Sequence, residues 1–478
     1  MAEENRGKIS LTWSRIKTAL SLVRLKSFET ASPAGRSKER LRRVSLTAIG
    51  SFAAQATNTL TTFISIPLAL RYLGQERYGL WLSITSTLAF LGFADLGIGG
   101  GVINCVSEAH GKDDSRLAAE YVSSAFLMLF SLAVILSLVF LLVFPHISWT
   151  WLFNVSSAQA KSELGPALFV FIVCFLFSLP LGVVQRVQIG YQEGFINNIW
   201  QIGASLLSLG MLLLVIYLKV GLPWLVLALA GAPVFVTFLN GLSLFGFRRP
   251  WLLPRLRAVR AIAGRKILRL GMLFFILQVS IALGYQKDNL VISHFLGADK
   301  VAQYAVPMKL FMIAPIFLSF FFMPLWPAYG EAITRHDFLW VRRTFRRSMI
   351  MALGISLSSA IGLFFFCRPI LKIWVGPSIQ PPLILILGLS LWAVVISVSG
   401  PIAMLLNGAS VIGFQVVCSL TMALTSLALS IFLVRRIGLP GPILATVIAQ
   451  VLFILIPFLF YYPHLTHRIM GAPQQQKT

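Results

Sequence analysis

The chain has 478 residues, of which 57% are hydrophobic and 12% charged. Soluble globular proteins carry about 45–50% apolar and about 25% charged residues, so this chain holds half the charge a water-facing surface needs, and a large soluble catalytic domain is excluded. The 40 Lys and Arg against 16 Asp and Glu leave a net charge of +24, which has to be explained within a membrane protein.

Residues 1–45 contain no uninterrupted apolar core and are punctuated by Arg and Lys, so they are not a cleavable signal peptide. Ile9, Trp13, Ile16, Leu20 and Val23 recur at helical spacing beside Lys17 and Arg24. That pattern describes either a basic amphipathic helix on an anionic leaflet or a disordered cytoplasmic tail.

Twelve apolar stretches of membrane-spanning length follow. In the first half they are Leu46–Leu70, Tyr78–Val106, Tyr121–Phe144, Ala167–Ile189, Ile196–Leu218 and Leu222–Phe245; in the second, Leu270–Phe295, Val301–Tyr329, Ser348–Phe366, Leu383–Leu406, Ile412–Val434 and Gly441–Tyr461. The expected organisation is an all-α polytopic membrane protein in two six-helix lobes, 46–245 and 270–461. A basic cytoplasmic linker, 246–269, joins them, and 462–478 form a cytoplasmic C-terminal tail. With both termini inside, 29 of the 40 basic residues fall in inside segments and 9 in outside loops, the bias that orients membrane proteins. With Arg186, at the inside end of the fourth stretch, counted among the inside residues, Lys287 and Lys309 are the two that remain within spans.

Three short matches suggest that the halves are repeats. Tyr72-Leu73-Gly74-Gln75-Glu76 recurs as Phe295-Leu296-Gly297-Ala298-Asp299, Ala109-His110-Gly111 as Ala328-Tyr329-Gly330, and Gly221-Leu222-Pro223 as Gly438-Leu439-Pro440. Their offsets are 223, 219 and 217 residues. Six spans per copy imply a parallel repeat about an axis along the membrane normal.

In the first span Ser51, Gln55, Asn58 and Thr62 share one helix face, and in the seventh Gln278, Tyr285 and Asn289 do the same, with Asp288 at the edge. The repeat offset carries Gln55 onto Gln278 and Thr62 onto Tyr285. Paired polar faces suit a hydrophilic cleft between two lobes; interhelical hydrogen bonding is the alternative use of such residues. Each charge at the bilayer centre costs at least about 2.5–3.5 kcal/mol, so Lys287, Asp288 and Lys309 stand out. Lys287 and Asp288 point about 100° apart on a helix, which places Lys287 opposite the Gln278 stripe unless Gly284 breaks the helix. A purely structural Lys–Asp pair is the competing reading. Lys309, after Pro307, has no acidic neighbour at helical spacing and is the better candidate for an anion-facing group.

Other chemistries are missing from the pattern. There is no G-x-x-x-x-G-K-[ST] run for nucleotide phosphates. The glycines at 97, 99, 100 and 101 lack the dinucleotide spacing and suit close helix packing instead. Cys105, Cys174, Cys367 and Cys418 lie far apart in apolar runs, and His464 with His467 lack further ligands, so no metal or cofactor is implied. Asn154-Val155-Ser156 forms a glycosylation sequon in an outside loop.

Arg71-Tyr72-Leu73-Gly74, Glu76, Tyr78-Gly79-Leu80-Trp81, Asp95-Leu96-Gly97, Gly111 and Ser123-Ser124-Ala125 resemble the polysaccharide-transporter branch of the multidrug/oligosaccharidyl-lipid/polysaccharide (MOP) exporter superfamily, which includes the O-antigen flippases. The resemblance extends from about Leu46 to Tyr461, and the long basic N-terminal tail departs from it. It implies a bacterial plasma-membrane flippase that carries a polyprenyl-diphosphate-linked oligosaccharide from the inner to the outer leaflet. Alternating access would be driven by an ion gradient or the membrane potential. Expected partners are that lipid-linked oligosaccharide, membrane lipids and polysaccharide polymerase or glycosyltransferase proteins, with no nucleic acid and no enzymatic activity. On this reading Lys309 and Lys287 attract the diphosphate, the residues at 55, 58, 62, 278, 285 and 289 face the sugar, and Asp288 titrates during coupling. Two rivals stay open: a drug or organic-cation exporter of the same superfamily, which needs carboxylates in the cleft, and a non-transporting membrane component of a polysaccharide assembly complex.

Overall fold

The computed structural model describes residues 28–29, 32–89, 93–152, 157–296, 298–374 and 380–470. The residues proposed for an N-terminal amphipathic helix, Ile9 to Val23, and the sequon at Asn154 lie outside them. The described residues form helices and no strand. The chain divides into two compact units, Met1–Gly271 and Met272–Thr478.

In the first unit α1 (Pro33–Ala89), α2 (Ile98–Gly111), α3 (Ser115–Val143), α4 (Ala158–Gly190), α5 (Gly194–Leu218) and α6 (Leu222–Arg248) follow in order. α1 is two helices joined at Gly74, whose φ of 77° and ψ of 172° leave helical geometry; a positive φ of this kind is strained for side-chain-bearing residues. The expected second span is accordingly divided. Its first part continues α1 to Ala89, and its last part is α2, entered through Leu96 (φ 49°) and Gly97 (φ 70°). Asp114 accepts a hydrogen bond from the Leu117 N–H and starts α3, and Ser157 does the same for α4 through the Ala160 N–H.

Small and polar residues set how closely these helices approach. Asn198 of α5 donates to the Thr47 carbonyl at 3.0 Å and to Ser51 Oγ at 2.9 Å on α1. A Cβ on Gly190 would sit 2.8 Å from the Val106 side chain, and one on Gly101 would sit 2.7 Å from the Ile267 carbonyl oxygen. Gly101, one member of the glycine cluster, therefore packs α2 closely against its neighbour. One apolar core gathers Val102, Val106, Tyr121, Val122, Val184, Val187 and Ile267, and another gathers Leu80, Ile84, Leu164, Leu212, Leu222 and Val226.

α7 (Ala261–Leu296) contributes its C-terminal part to the second unit, with α8 (Ala298–Phe311), α9 (Ile313–Thr334), α10 (Phe338–Trp374), α11 (Leu383–Gly408), α12 (Ile412–Ile437) and α13 (Gly441–Leu465). Where a single eighth span was expected over Val301–Tyr329, the chain forms α8 and α9, with Met312 between them. Gly408 lies where a Cβ would meet Tyr329 at 2.6 Å, and Gly388 where one would meet Ile443 at 2.7 Å. The core here joins Ile292, Tyr304, Phe311, Leu371, Leu385, Leu389, Trp392 and Ile443.

Nine helices among the described residues are long and apolar enough to cross a membrane. They fall on the third to sixth and eighth to twelfth expected spans; the other three expected spans fall on α1, α2 and α7, so the count of twelve is not reproduced by this measure. Large apolar side chains such as Phe130, Ile135, Leu138 and Leu142 on α3 are exposed, the surface a bilayer covers. The chain is a multi-pass membrane protein.

The start of α1 carries an ion cluster. Glu39 accepts from Arg42 Nη2 at 2.6 Å, from Arg43 Nε at 2.9 Å and from the Phe28 N–H at 2.9 Å. Burial alone would push this carboxyl up, but the hydrogen bonds from Arg42, Phe28 and Arg43 outweigh it and hold it at about 2. A depressed carboxylate stabilises the fold above its ordinary value of 4.5 and loses that contribution as pH falls towards 2. The melting temperature of detergent-solubilised protein should fall across that window, and Glu39→Gln should flatten that part of the profile. Gly101→Val should cost ~1–3 kcal/mol by forcing α2 off the Ile267 carbonyl. Gly210→Ala on α5, where nothing lies within 4 Å, should be tolerated in the same unfolding assay.

Candidate functional site

Lys287 and Asp288 are adjacent on α7, which runs unbroken through Gly284. Gly284 instead admits α12: a Cβ there would touch Met422 Cε at 3.2 Å. One turn further on, the Lys287 stem folds back so that Nζ donates to Asp288 Oδ1 at 2.6 Å and to Thr446 Oγ1 of α13 at 3.1 Å. Tyr304 of α8 donates its hydroxyl to Asp288 Oδ2 at 2.6 Å. Thr446 donates to the Pro442 carbonyl at 3.1 Å, so the Ser426 hydroxyl of α12, 3.1 Å away, is the donor of its contact with Thr446. The side chains of Lys287 and Asp288 are each 6% exposed. Four helices thus meet on one ion pair whose two carboxylate oxygens both accept hydrogen bonds.

The other residues named from the sequence are placed differently. Gln55, Asn58 and Thr62 are exposed on α1, with Thr62 Oγ1 returning a hydrogen bond to the Asn58 carbonyl at 2.7 Å. Gln278 is half-buried and Asn289 exposed on α7; Tyr285 lies on the same helix, its side chain outside the described residues. Lys309 is exposed on α8, and it makes no ion pair with Asp288, whose oxygens Lys287 and Tyr304 occupy. Among the motif residues, Arg71 is exposed, Tyr78 packs against the Leu80 core, and Gly74 provides the break in α1. Glu76 and Gly79 lie in α1.

Asp95 belongs to a second polar site, in the first unit. Its Oδ1 accepts from the Gly97 N–H at 2.9 Å, and its Oδ2 lies 3.9 Å from Arg186 Nη2. Arg186 sits within α4, where Asp95, Gly99, Ser178, Gln185 and Thr237 join it around a cleft of about 320 Å³. A Cβ on Gly99 would lie 2.7 Å from Arg186 Nε and 2.8 Å from Asp95 Oδ2, so the glycine makes room for both. Far along α4, near its start, Arg77 pairs with Glu163 at 3.2 Å, and Glu163 also accepts from the Leu222 N–H at 3.1 Å. The second unit has an apolar cavity of about 290 Å³ lined by Leu277, Pro315, Phe322, Met404, Phe414 and Met422.

Sequence reasoning missed Tyr304, Ser426 and Thr446, and it counted Arg186 among loop charges. Tyr304 follows the repeated Leu296-Gly297 turn in sequence, and Asp95, the partner of Arg186, stands in the motif. Nothing in the spacing pointed to Ser426 or Thr446.

Comparison with known proteins agrees with this architecture. The fold matches a Vibrio cholerae MATE transporter with a TM-score of 0.74, at 13% identity over 92% of this chain and 99% of that one. It matches a MOP-superfamily transporter from Pyrococcus furiosus with a TM-score of 0.73, at 15% identity over 89% of this chain and 96% of that one. The fold is therefore that of a MOP-superfamily transporter. By its sequence the chain belongs to the "Polysaccharide biosynthesis protein" family, which matches residues 48–332. A Salmonella typhi protein named "Putative O-antigen transporter" is 25% identical over 294 residues, 61% of this chain and 66%, just under two thirds, of that relative's length.

Removing one member of a buried ion pair costs ~3–5 kcal/mol, because the other charge is left unpaired. Asp288→Asn and Lys287→Ala should each lower thermal stability by that order. The double replacement Lys287→Met with Asp288→Leu should cost far less than the sum of the single changes, as read from unfolding of purified protein.

Proposed function

We propose that the chain is a flippase in the bacterial inner membrane, with both termini cytoplasmic, that moves a polyprenyl-diphosphate-linked oligosaccharide from the inner to the outer leaflet by alternating access. The family match and the O-antigen relative support the cargo class. The observation that carries the mechanism is the buried Lys287–Asp288–Tyr304 cluster between α7 and α8. A bilayer makes unpaired charge costly, so Lys287 needs a counter-anion at every stage. While Asp288 is ionised it is that anion. When Asp288 takes up a proton, the ammonium turns to another anion, and the diphosphate of the cargo is of the right charge. Proton uptake and cargo binding are coupled because the Asp288 carboxylate and the cargo diphosphate compete for one lysine. Lys309, exposed and not held by Asp288, offers a further cationic contact.

The organic-cation reading requires free carboxylates. Asp288 and Asp95, the two it would use, each lie beside a cation, Lys287 and Arg186, and this favours an anionic cargo.

Purified protein in liposomes with a fluorescent lipid-linked oligosaccharide tests the proposal. The unmodified chain should flip the label, faster with an imposed proton gradient. Asp288→Asn should remove the gradient dependence and slow flipping about tenfold, the factor corresponding to ~1.4 kcal/mol of barrier. Absence of flipping, with or without a gradient, would support a non-transporting role.

A further inference from the structure

We infer that the segment joining α6 to α7 is a binding site for anionic phospholipid, a fixed platform that inserts apolar side chains into a leaflet and clamps lipid phosphates with arginine. The inference is independent of the cargo. Residues 246–269 contain eight Arg or Lys and no Asp or Glu. Four of these cations have carboxylate partners: Arg248 and Arg249 meet Glu193, Arg260 meets Glu120 and Lys266 meets Glu108. Arg255, Arg257, Arg265 and Arg269 are exposed and have no ion-pair partner among the described residues.

Large apolar side chains are exposed between those arginines. Leu256 is 78% exposed, Ile262 86%, Phe247 86%, and Trp251 and Leu253 nearly half. A loop meant for water does not present such residues beside free guanidinium groups. This one is also held in place: two 3-10 turns, Pro250–Leu252 and Leu256–Ala258, carry it, and Leu252 is fully buried in the core. The Arg255 and Arg260 N–H groups donate at 3.2 Å to the Ser123 and Ser124 hydroxyls. Arg249 stacks 3.7 Å over the Tyr191 ring while pairing with Glu193. The outward display of Leu256 and Ile262 is therefore built into the fold.

Charge and continuity identify the occupant. Phe247 lies in the last turn of α6, a helix of membrane-spanning length whose Phe235, Phe238 and Leu242 are also exposed, so the apolar surface of the linker continues the lipid-facing surface of that helix. Arginine grips phosphate through paired N–H donors, and basic surfaces with an apolar face settle at the headgroup boundary of anionic bilayers. An acidic protein would satisfy the arginines but not the continuity with α6.

The test uses the full chain in nanodiscs, with Cys418→Ser and a bimane label on Leu256→Cys; the other three native cysteines are buried. Quenching is titrated with brominated phosphatidylglycerol and with brominated phosphatidylcholine. Both should quench, with a preference for phosphatidylglycerol that falls about fivefold for each arginine removed in Arg255→Gln and then Arg255→Gln/Arg257→Gln. Because loss of positive charge can disturb membrane orientation, Ile262→Ser with all arginines retained serves as a second variant; it should weaken quenching by both lipids and keep the preference. A label unquenched by either lipid, as for a water-facing or protein-covered linker, overturns the inference. So does equal quenching by the two lipids in the unmodified linker.

Discussion

A bilayer cannot hydrate a charge, and the second unit is organised around Lys287 and Asp288, the one lysine and one aspartate it buries among the described residues. Lys287 and Asp288 can stay ionised only if each polar atom finds a partner, and those partners come from separate stretches of chain: Tyr304 on α8, Thr446 on α13, and Ser426 behind Thr446 on α12. Meeting that requirement fixes the spacing of the helices. Gly284 lets α12 close on α7 one turn away, and Gly441 brings α13 so near α12 that a Cβ would lie 2.6 Å from the Leu433 backbone. Small residues at helix contacts and a satisfied polar network are two sides of the same constraint.

The first unit meets that constraint with hydrogen-bonded pairs spread over several helices. Gln188 and Asn240 exchange reciprocal amide bonds at 2.6 and 3.0 Å between α4 and α6, and Asn198 ties α5 to the backbone of α1. Glu163 serves twice, holding Arg77 and capping the start of α6 at Leu222 beside Gly221, whose φ is +91°. The Asp95–Arg186 contact is the looser one, at 3.9 Å across an open cleft. Tight pairs hold helices together, whereas a loose pair beside a cleft keeps a guanidinium able to change partners.

Length, apolarity and the distribution of Lys and Arg were enough to establish a helical membrane protein, because the bilayer acts on composition one segment at a time. The motif around Arg71 to Gly97 was enough for the family. Side-chain assignments fared differently. The stripe of Ser51, Gln55, Asn58 and Thr62 has one face by helical period, yet Ser51 takes a hydrogen bond from Asn198 while its three companions are exposed. The expected 100° divergence of Lys287 and Asp288 holds for the Cα–Cβ directions, but a lysine stem is long enough to cancel it.

The sequence by itself determined the environment, the helical class, the family and the identity of the few charges within spans, since each follows from local composition or local spacing. Tertiary structure alone decided that Lys287 is already paired with Asp288, that Thr446 accepts from the lysine while Tyr304 donates to the aspartate, that Arg186 faces a cleft, and that the arginines at 255, 257, 265 and 269 have no ion-pair partner among the described residues. The net charge of +24 shows the difference most plainly. A count of basic residues is a property of the chain, but which of them still lack a counter-ion depends on carboxylates that only folding brings within reach.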